Sequence, residues 1–346
     1  MVGISNKEAP LRLLSLDGGG VTALSELFIL KETMLQIQRQ NNLRVTPKPC
    51  EFFDMIGGSG TGGLFAIMLG RLHMSIDDTV EEYRQLAIAV FSNKKSITSE
   101  GAYKASTFEK MIQSMVQKYG RDSNKTLFDP HNESPCKVFV CCRSTMAMNT
   151  AKLLRSYSSY TIEDAPNATV WEAARATTAT PGIFKRIRVK TLAGHDELID
   201  GSMGSKNPAM ILITEAAAAF GLDRAVSCIM SMGSGPQHII NLRSKGFLQR
   251  LIPTQLVSAV KNMAYDAEQT ARDLDYKFKR FGDLYFRFNT QTGLDKIDSD
   301  DWKRMGDVKS LTLGYLDSPS VAKDVVRVAS VLKTDSVGKA PISRLV

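Results

Sequence analysis

The chain has no long apolar run. No window of its 346 residues approaches eighteen uninterrupted apolar positions, so nothing reads as a membrane-spanning helix. The opening MVGISNKEAPLR has no apolar stretch of the signal-peptide kind, and the expected location is the cytoplasm. Histidine is scarce. His73, His131, His195 and His238 are scattered beside loop-like residues and read as surface or locally bonded side chains rather than triad members. The cysteines are odd in number, and Cys50, Cys136, Cys141, Cys142 and Cys228 fall mostly in apolar stretches with no CxxC pairing near a histidine. That argues for reduced thiols and against a zinc site, so neither metal nor cofactor is expected. Internal repeats are lacking, as are Pro/Gly/Ser-rich linkers and basic motifs interleaved with aromatics, which leaves solenoids, a freely swinging appendage and nucleic-acid partners without support.

A composition of 43% hydrophobic and 23% charged residues is that of a folded globular protein. The length suits one large α/β domain with an appended helical segment, or two domains; the division expected is 1–240 and a mainly helical 241–346 packed on it. Net charge is +8, concentrated in FKRIRVK (Phe184 to Lys190) and KFKRFG (Lys277 to Gly282). Such clusters are first read as solvated faces; a peripheral contact with anionic membrane is the functional alternative.

Leu11 to Leu16, LRLLSL, reads as a strand that ends in Asp17-Gly18-Gly19-Gly20, and Val21 to Gln38 has helical spacing. The order returns at Phe52 to Ile56, GGSGTGG and LFAIMLGRL. Two such units suggest an α/β sheet with its loops gathered at one edge. Farther on, the pattern predicts mostly helix over Ile76 to Tyr119, a strand at Val138 to Cys142, a helix over Thr169 to Thr177 and a strand at Glu197 to Ile199. A helix follows over Ala209 to Phe220, then a strand over Ala225 to Met232, an amphipathic helix over Leu256 to Phe281, a strand in LYFRFN (Leu284 to Asn289) and a helix over Val321 to Leu332.

The first glycine loop, beside a helix N-terminus, can gather backbone NH groups around a phosphate or an oxyanion. It matches neither a Rossmann fingerprint nor a P-loop. The second has the layout of a nucleophile elbow, a sharp strand-to-helix turn that lifts one side chain above the sheet edge. A third segment, LIDGSMGSKNPAM (Leu198 to Met210), puts Asp200 at a strand end, where it could serve as a general base without any histidine.

Together, DGGG (Asp17 to Gly20), GGSGTGGL (Gly57 to Leu64), ARATTATPGIF (Ala174 to Phe184), DGSMGSKNPA (Asp200 to Ala209) and SMGSG (Ser231 to Gly235) resemble the patatin-like phospholipase family over roughly Leu11 to Gly235. The C-terminal part, with YFRFN and Trp302, is similar to fungal patatin-like proteins. The resemblance implies a three-layer α/β fold, a central mostly parallel sheet flanked by helices, with a C-terminal helical extension. It also implies a Ser/Asp dyad acting on a hydrophobic or lipid-like substrate. Gly18, Gly19 and Gly20 match the oxyanion loop, with Asp17, Gly58 and Thr61 expected beside them as oxyanion- or ligand-binding residues; Asp200 matches the dyad acid. The family's GxSxG serine falls on Gly60. The chain departs again at Thr22-Ala23, where the family's DGGGxRG continues with arginine and glycine, and at Ser202, where its DGG has a second glycine.

Glycine has no side chain to acylate, and loss of such a nucleophile costs on the order of 10⁶ in kcat. Ser59 is the possible substitute, disfavoured because a one-residue shift at an elbow turns the side chain away. Thr61 reads as a cap for the following helix. Met68, Met74, Met203, Met210, Met230 and Met232 lie in or near the motifs and read as core, with an adaptable apolar pocket as the alternative. Three functions follow: an acyl hydrolase lineage with a degenerate dyad and lost or weak ester hydrolysis; a non-hydrolytic isomerase, cyclase or lyase that uses Asp200 as acid/base on a hydrophobic metabolite; or a lipid-binding pseudoenzyme.

Overall fold

The structure, a computed structural model, describes residues 9–95, 101–129, 134–158, 168–191, 194–236, 267–332 and 337–346. The chain runs β1 (Leu11–Leu16), α1 (Leu24–Gln40), α2 (Pro49–Phe52), β2 (Met55–Ser59), α3 (Thr61–Ala66), α4 (Ile76–Phe91) and α5 (Ala105–Gly120). It continues through β3 (Lys137–Ser144), β4 (Ala147–Arg155), α6 (Val170–Thr177), β5 (Ile187–Thr191), β6 (Gly194–Asp200), α7 (Ser202–Ser205), α8 (Ala209–Phe220) and β7 (Ala225–Gly233). Last come α9 (267–278), β8 (Tyr285–Asn289), α10 (Met305–Leu316), α11 (Pro319–Val331) and the two-residue β9 (Ala340–Pro341).

The nine strands of the described residues join one sheet in the order β5-β6-β3-β2-β1-β7-β8, with β4 on β3 and β9 on β7. Its centre is parallel: β1 lies between β2 and β7, and β3 and β8 extend it on either side. β4, β5, β6 and β9 pair antiparallel. Alternation along each strand builds a core on both faces. Leu14 and Leu16 of β1, with Ile56, Val138 and Met230, pack beneath α1, α3, α4, α5 and α6. Leu11 and Leu13, with Met55, Phe139 and Ile229, pack beneath α8 and α9. The result is a three-layer α/β sandwich with helices following in the C-terminal part; α10 and α11 lie against α1.

Local chemistry sets several boundaries. Thr169 and Glu172 form a reciprocal capping box that opens α6, and Ser75 accepts from the Asp78 N–H to open α4. Pro319 begins α11, where its missing N–H leaves no intrahelical bond unmade. The predicted helix over Ile76 to Tyr119 is two helices, α4 and α5. The one expected from Val21 begins instead with a 3₁₀ turn over Gly20–Ala23. Of the helix expected over Leu256 to Phe281, residues 256–266 lie outside the described residues; the rest is α9 with a 3₁₀ turn at Lys279–Phe281. FKRIRVK is largely strand β5, with Ile187 and Val189 inward and Arg188 and Lys190 exposed. Among the described residues no helix is long and apolar enough to cross a membrane. The five cysteines are buried and unpaired. All the motif methionines but Met210 are core residues.

One buried ion pair ties the C-terminal part to the sheet edge. Arg287 on β8 donates from Nη2 to Asp17 Oδ2 at 2.7 Å and from Nη1 to Asp17 Oδ1 at 3.1 Å, and Nη1 also reaches Ser231 Oγ at 3.0 Å. Bidentate geometry suits a guanidinium and a carboxylate held away from water. Arg287→Met would leave Asp17 buried without its countercharge. Urea unfolding should show a loss of about 3–5 kcal/mol, and a loss under about 1 kcal/mol would show the pair to be structurally idle.

Candidate active site

The site follows from strand register. β1 and β2 run parallel with Leu16 opposite Gly58, so the turns that leave them emerge side by side. Ser59 lies opposite Cys141 on β3, and Cys142 lies opposite Asp200 at the end of antiparallel β6. The two glycine loops and the aspartate thus meet at the carboxyl edge of the parallel strands, where open α/β sheets place ligands.

The turn at Gly60 is tight. Its φ of 56° and ψ of −127° lie where L side chains are strained, and α3 starts at the next residue. The Gly60 N–H donates to Thr177 Oγ1 at 3.0 Å, and the Thr177 hydroxyl donates in turn to Cys141 O at 2.7 Å. A Cβ on Gly62 would stand 2.3 Å from Asp17 O and 2.4 Å from Leu16 O, so glycine alone lets the first turn of α3 press on the end of β1. A Cβ placed on Gly60 would stand 3.2 Å from Asp200 Oδ1 and 3.4 Å from both Gly18 Cα and Ser202 Oγ. Gly60 therefore faces Asp200 across the site, with Gly18 at its side.

Asp200 is buried and held by four bonds. Its N–H donates to Ala179 O at 3.2 Å, and Thr180 Oγ1 donates to Oδ2. Ser202 donates to Oδ1 twice, from N at 2.8 Å and from Oγ at 2.7 Å. Burial raises the Asp200 pKa above the ordinary carboxylate range, against the lowering effect of the Thr180 and Ser202 hydrogen bonds. The glycine loop is anchored around Gly18, whose N–H donates to Lys206 O at 3.2 Å and whose carbonyl accepts from Ser234 Oγ at 2.9 Å. Val21 N–H goes to Ser299 O at 2.9 Å. The N–H groups of Gly19 and Gly20, both half-buried, find no acceptor among the described residues.

Other residues singled out from the sequence lie elsewhere. Asp17 is engaged by Arg287 beneath the glycine loop. Ser59 is fully buried, and its Oγ has no hydrogen-bond partner among the described residues. Gly58 packs under the first turn of α3, its Cβ position 2.2 Å from Gly62 O. The capping role expected of Thr61 is corrected: Gly60 is the N-cap, Thr61 is the first helical residue, and no side chain caps α3. The Thr61 hydroxyl instead meets Tyr83. His73 bonds Ser134 Oγ at 2.9 Å, His195 is exposed on β6, and His131 and His238 lie outside the described residues.

The structure adds residues whose part was not read from the sequence. Thr177 and Thr180, both in ARATTATPGIF, fix the elbow backbone and the Asp200 carboxylate. Lys206 holds Gly18 through its carbonyl, while burial lowers its ammonium to about 8. Glu26, in the first turn of α1, is fully buried, and neither of its oxygens has a partner among the described residues. Burial and then nearby Asp17 raise its pKa well above the usual range, which favours a neutral carboxyl.

The fold is thus a three-layer α/β sandwich with two strand–glycine–helix turns and a carboxylate at one sheet edge. The patatin-like phospholipase family model matches residues 14–213, more than half of the chain, and the protein belongs to that family. It is 27% identical over 295 residues to a calcium-independent phospholipase A2-gamma of Mus musculus, covering 81% of this chain and 35% of the relative. It is 24% identical over 331 residues to patatin-like phospholipase 1 of Plasmodium falciparum, covering 89% of this chain and 47% of that one. A probable inactive patatin-like protein 9 of Arabidopsis thaliana is 24% identical over 247 residues, covering 65% and 60%. The chain thus spans about a third of the gamma phospholipase and under half of the Plasmodium protein.

Because burial raises the folded-state pKa of Asp200, its contribution to stability is fully present below the ordinary carboxylate pKa and is lost as pH rises through the raised value. Asp200→Asn removes this dependence. The stability of the variant relative to the parent should therefore increase in urea unfolding as pH rises from the ordinary carboxylate pKa through the raised value. A difference independent of pH would show that the carboxyl carries no such burden.

Proposed function

We propose that this protein is a lipid acyl hydrolase by lineage in which the family's own nucleophile route is closed at Gly60, so that ordinary ester hydrolysis is weak, and Asp200 is the acid/base that remains. One observation carries the reading. Gly60 keeps the strained backbone of a nucleophile turn and points its missing Cβ at Asp200 Oδ1, 3.2 Å away. A side chain of the right kind there would meet its base directly; none exists. A substrate carbonyl would lie over Gly19 and Gly20, whose N–H groups suit an oxyanion. The substrate class, a hydrophobic or lipid-like ester, comes from the family and from relatives named as phospholipases. A family member named as probably inactive is in keeping with a degenerate site.

A second reading, a non-hydrolytic isomerase, cyclase or lyase, draws on the raised pKa of Asp200, since a carboxyl that keeps its proton more readily can deliver it as well as take it. Peripheral contact with an anionic membrane would use the exposed Lys185, Arg186, Arg188 and Lys190.

The hydrolase reading is tested by rebuilding the family arrangement. A hydroxyl added at position 60 would compete for space with Ser202 Oγ, so Gly60→Ser alone should gain little. Gly60→Ser with Ser202→Gly should hydrolyse a p-nitrophenyl acyl ester on the order of 10²-fold faster than the parent and take a fluorophosphonate at position 60. The left-handed φ should cost the variant about 1–3 kcal/mol of stability. A folded double variant with neither activity nor label would sink the hydrolase reading.

A further inference from the structure

The hydroxyl absent from residue 60 has a counterpart across the site. Ser202 Oγ stands 3.4 Å from the Cβ position of Gly60, in the space that a side chain there would enter, and 3.2 Å from the Cβ position of Gly18 in the glycine loop. It donates to Asp200 Oδ1 at 2.7 Å, within reach for proton transfer. The other oxygen of Asp200 is fixed by Thr180, and the Ser202 N–H, 2.8 Å from Oδ1, fixes Ser202 against the same carboxylate. Ser202 is half-buried, unlike Ser59, whose hydroxyl is sealed in the core. Hydroxyl, base, the group that orients the base, and an adjoining loop whose Gly19 and Gly20 N–H groups find no acceptor among the described residues are the four parts that an activated nucleophile needs.

We infer that Ser202 is the nucleophile of a relocated Ser/Asp dyad, which attacks acyl esters from the Asp200 side of the elbow. The inference rests on the hydrolase reading above and names the residue that carries its remaining turnover. Ser202 Oγ forms a bond to the ester carbonyl carbon while its proton passes to Asp200. The carbonyl π pair moves onto oxygen beside the Gly19 and Gly20 N–H groups. As the tetrahedral adduct collapses, the bond to the alkoxy group breaks, and the leaving alcohol takes the proton from Asp200. Water then adds to the acyl-Ser202 ester as Asp200 accepts its proton, and the acid departs as the proton returns to Ser202. The net change is ester plus water to acid plus alcohol, and no other reactant is required. The rate should rise with pH as Asp200 loses its proton, through a pKa above the usual carboxylate range.

The experiment uses the full chain, a fluorophosphonate probe with peptide mapping, and p-nitrophenyl ester hydrolysis. The parent protein should carry the label on Ser202, and both Ser202→Ala and Asp200→Asn should lower hydrolysis on the order of 10²-fold or more. Labelling of the parent is read without any variant, so a misfolded substitution does not blunt the test. No label, a label on Ser59, or full activity in folded Ser202→Ala would overturn the inference. Gly60→Ser with Ser202→Gly is the control that separates the two claims. If it labels and turns over while the parent does neither, the dyad at Ser202 is wrong and the hydrolase reading stands; if the folded control is also inert, both fall.

Discussion

The close approach of α3 to the end of β1 is the constraint on which the rest depends. Helix and strand meet so tightly that a single methyl group at Gly62 would collide with the carbonyl oxygens of Leu16 and Asp17. With that contact made, the turn at Gly60 has no freedom to swing away from the glycine loop, and the two loops become one surface. Asp200 arrives on that surface from an antiparallel strand two positions across the sheet, and the Thr177 hydroxyl joins the elbow to the intervening strand. The geometry of the site therefore rests largely on backbone packing.

A site built in this way can hold its shape with no side chain at its centre. In a site built from side chains alone, deletion of the central one leaves a cavity that its neighbours fill. Here Gly60 holds a strained backbone position amid the hydrogen bonds of Thr177, Thr180 and Ser202, and Ser202 Oγ stands in the space that a side chain at residue 60 would enter. Proton affinity is set in the same way. Asp200 owes its raised pKa to depth, and depth is fixed by the sheet.

Much of the layout was legible in the sequence because it is written in glycine and in periodicity. Asp17 to Gly20 and Gly57 to Gly63 announce sharp turns after apolar runs, and the β1 and β7 segments are continuous enough to be central strands. β5 was hidden because Arg188 and Lys190, its outward residues, make FKRIRVK look like a charge cluster. β4 was hidden because its first half, Ala147 to Thr150, is exposed and has no apolar face to give a period. Asp200 could be picked out as an acid at a strand end. The place of Ser202 could not, since a serine in DGSMGS reads as any small turn residue until the register of β6 against β3 is known. The capping assignment of Thr61 failed for a related reason: a left-handed glycine had already taken the cap position.

β1 lies at the centre of the sheet. One of its neighbours follows within some forty residues; the other, β7, comes far later, with Ser227 bonded to Leu11 across 216 positions of sequence. Until β7 exists, one edge of β1 is an open row of N–H and C=O groups ready to pair with any passing strand. The chain must close a very long loop before this strand is paired on both edges, a topology of the kind that folds slowly. The same strand carries the glycine loop, so the edge that bears the candidate site depends on a pairing that closes a very long stretch of chain.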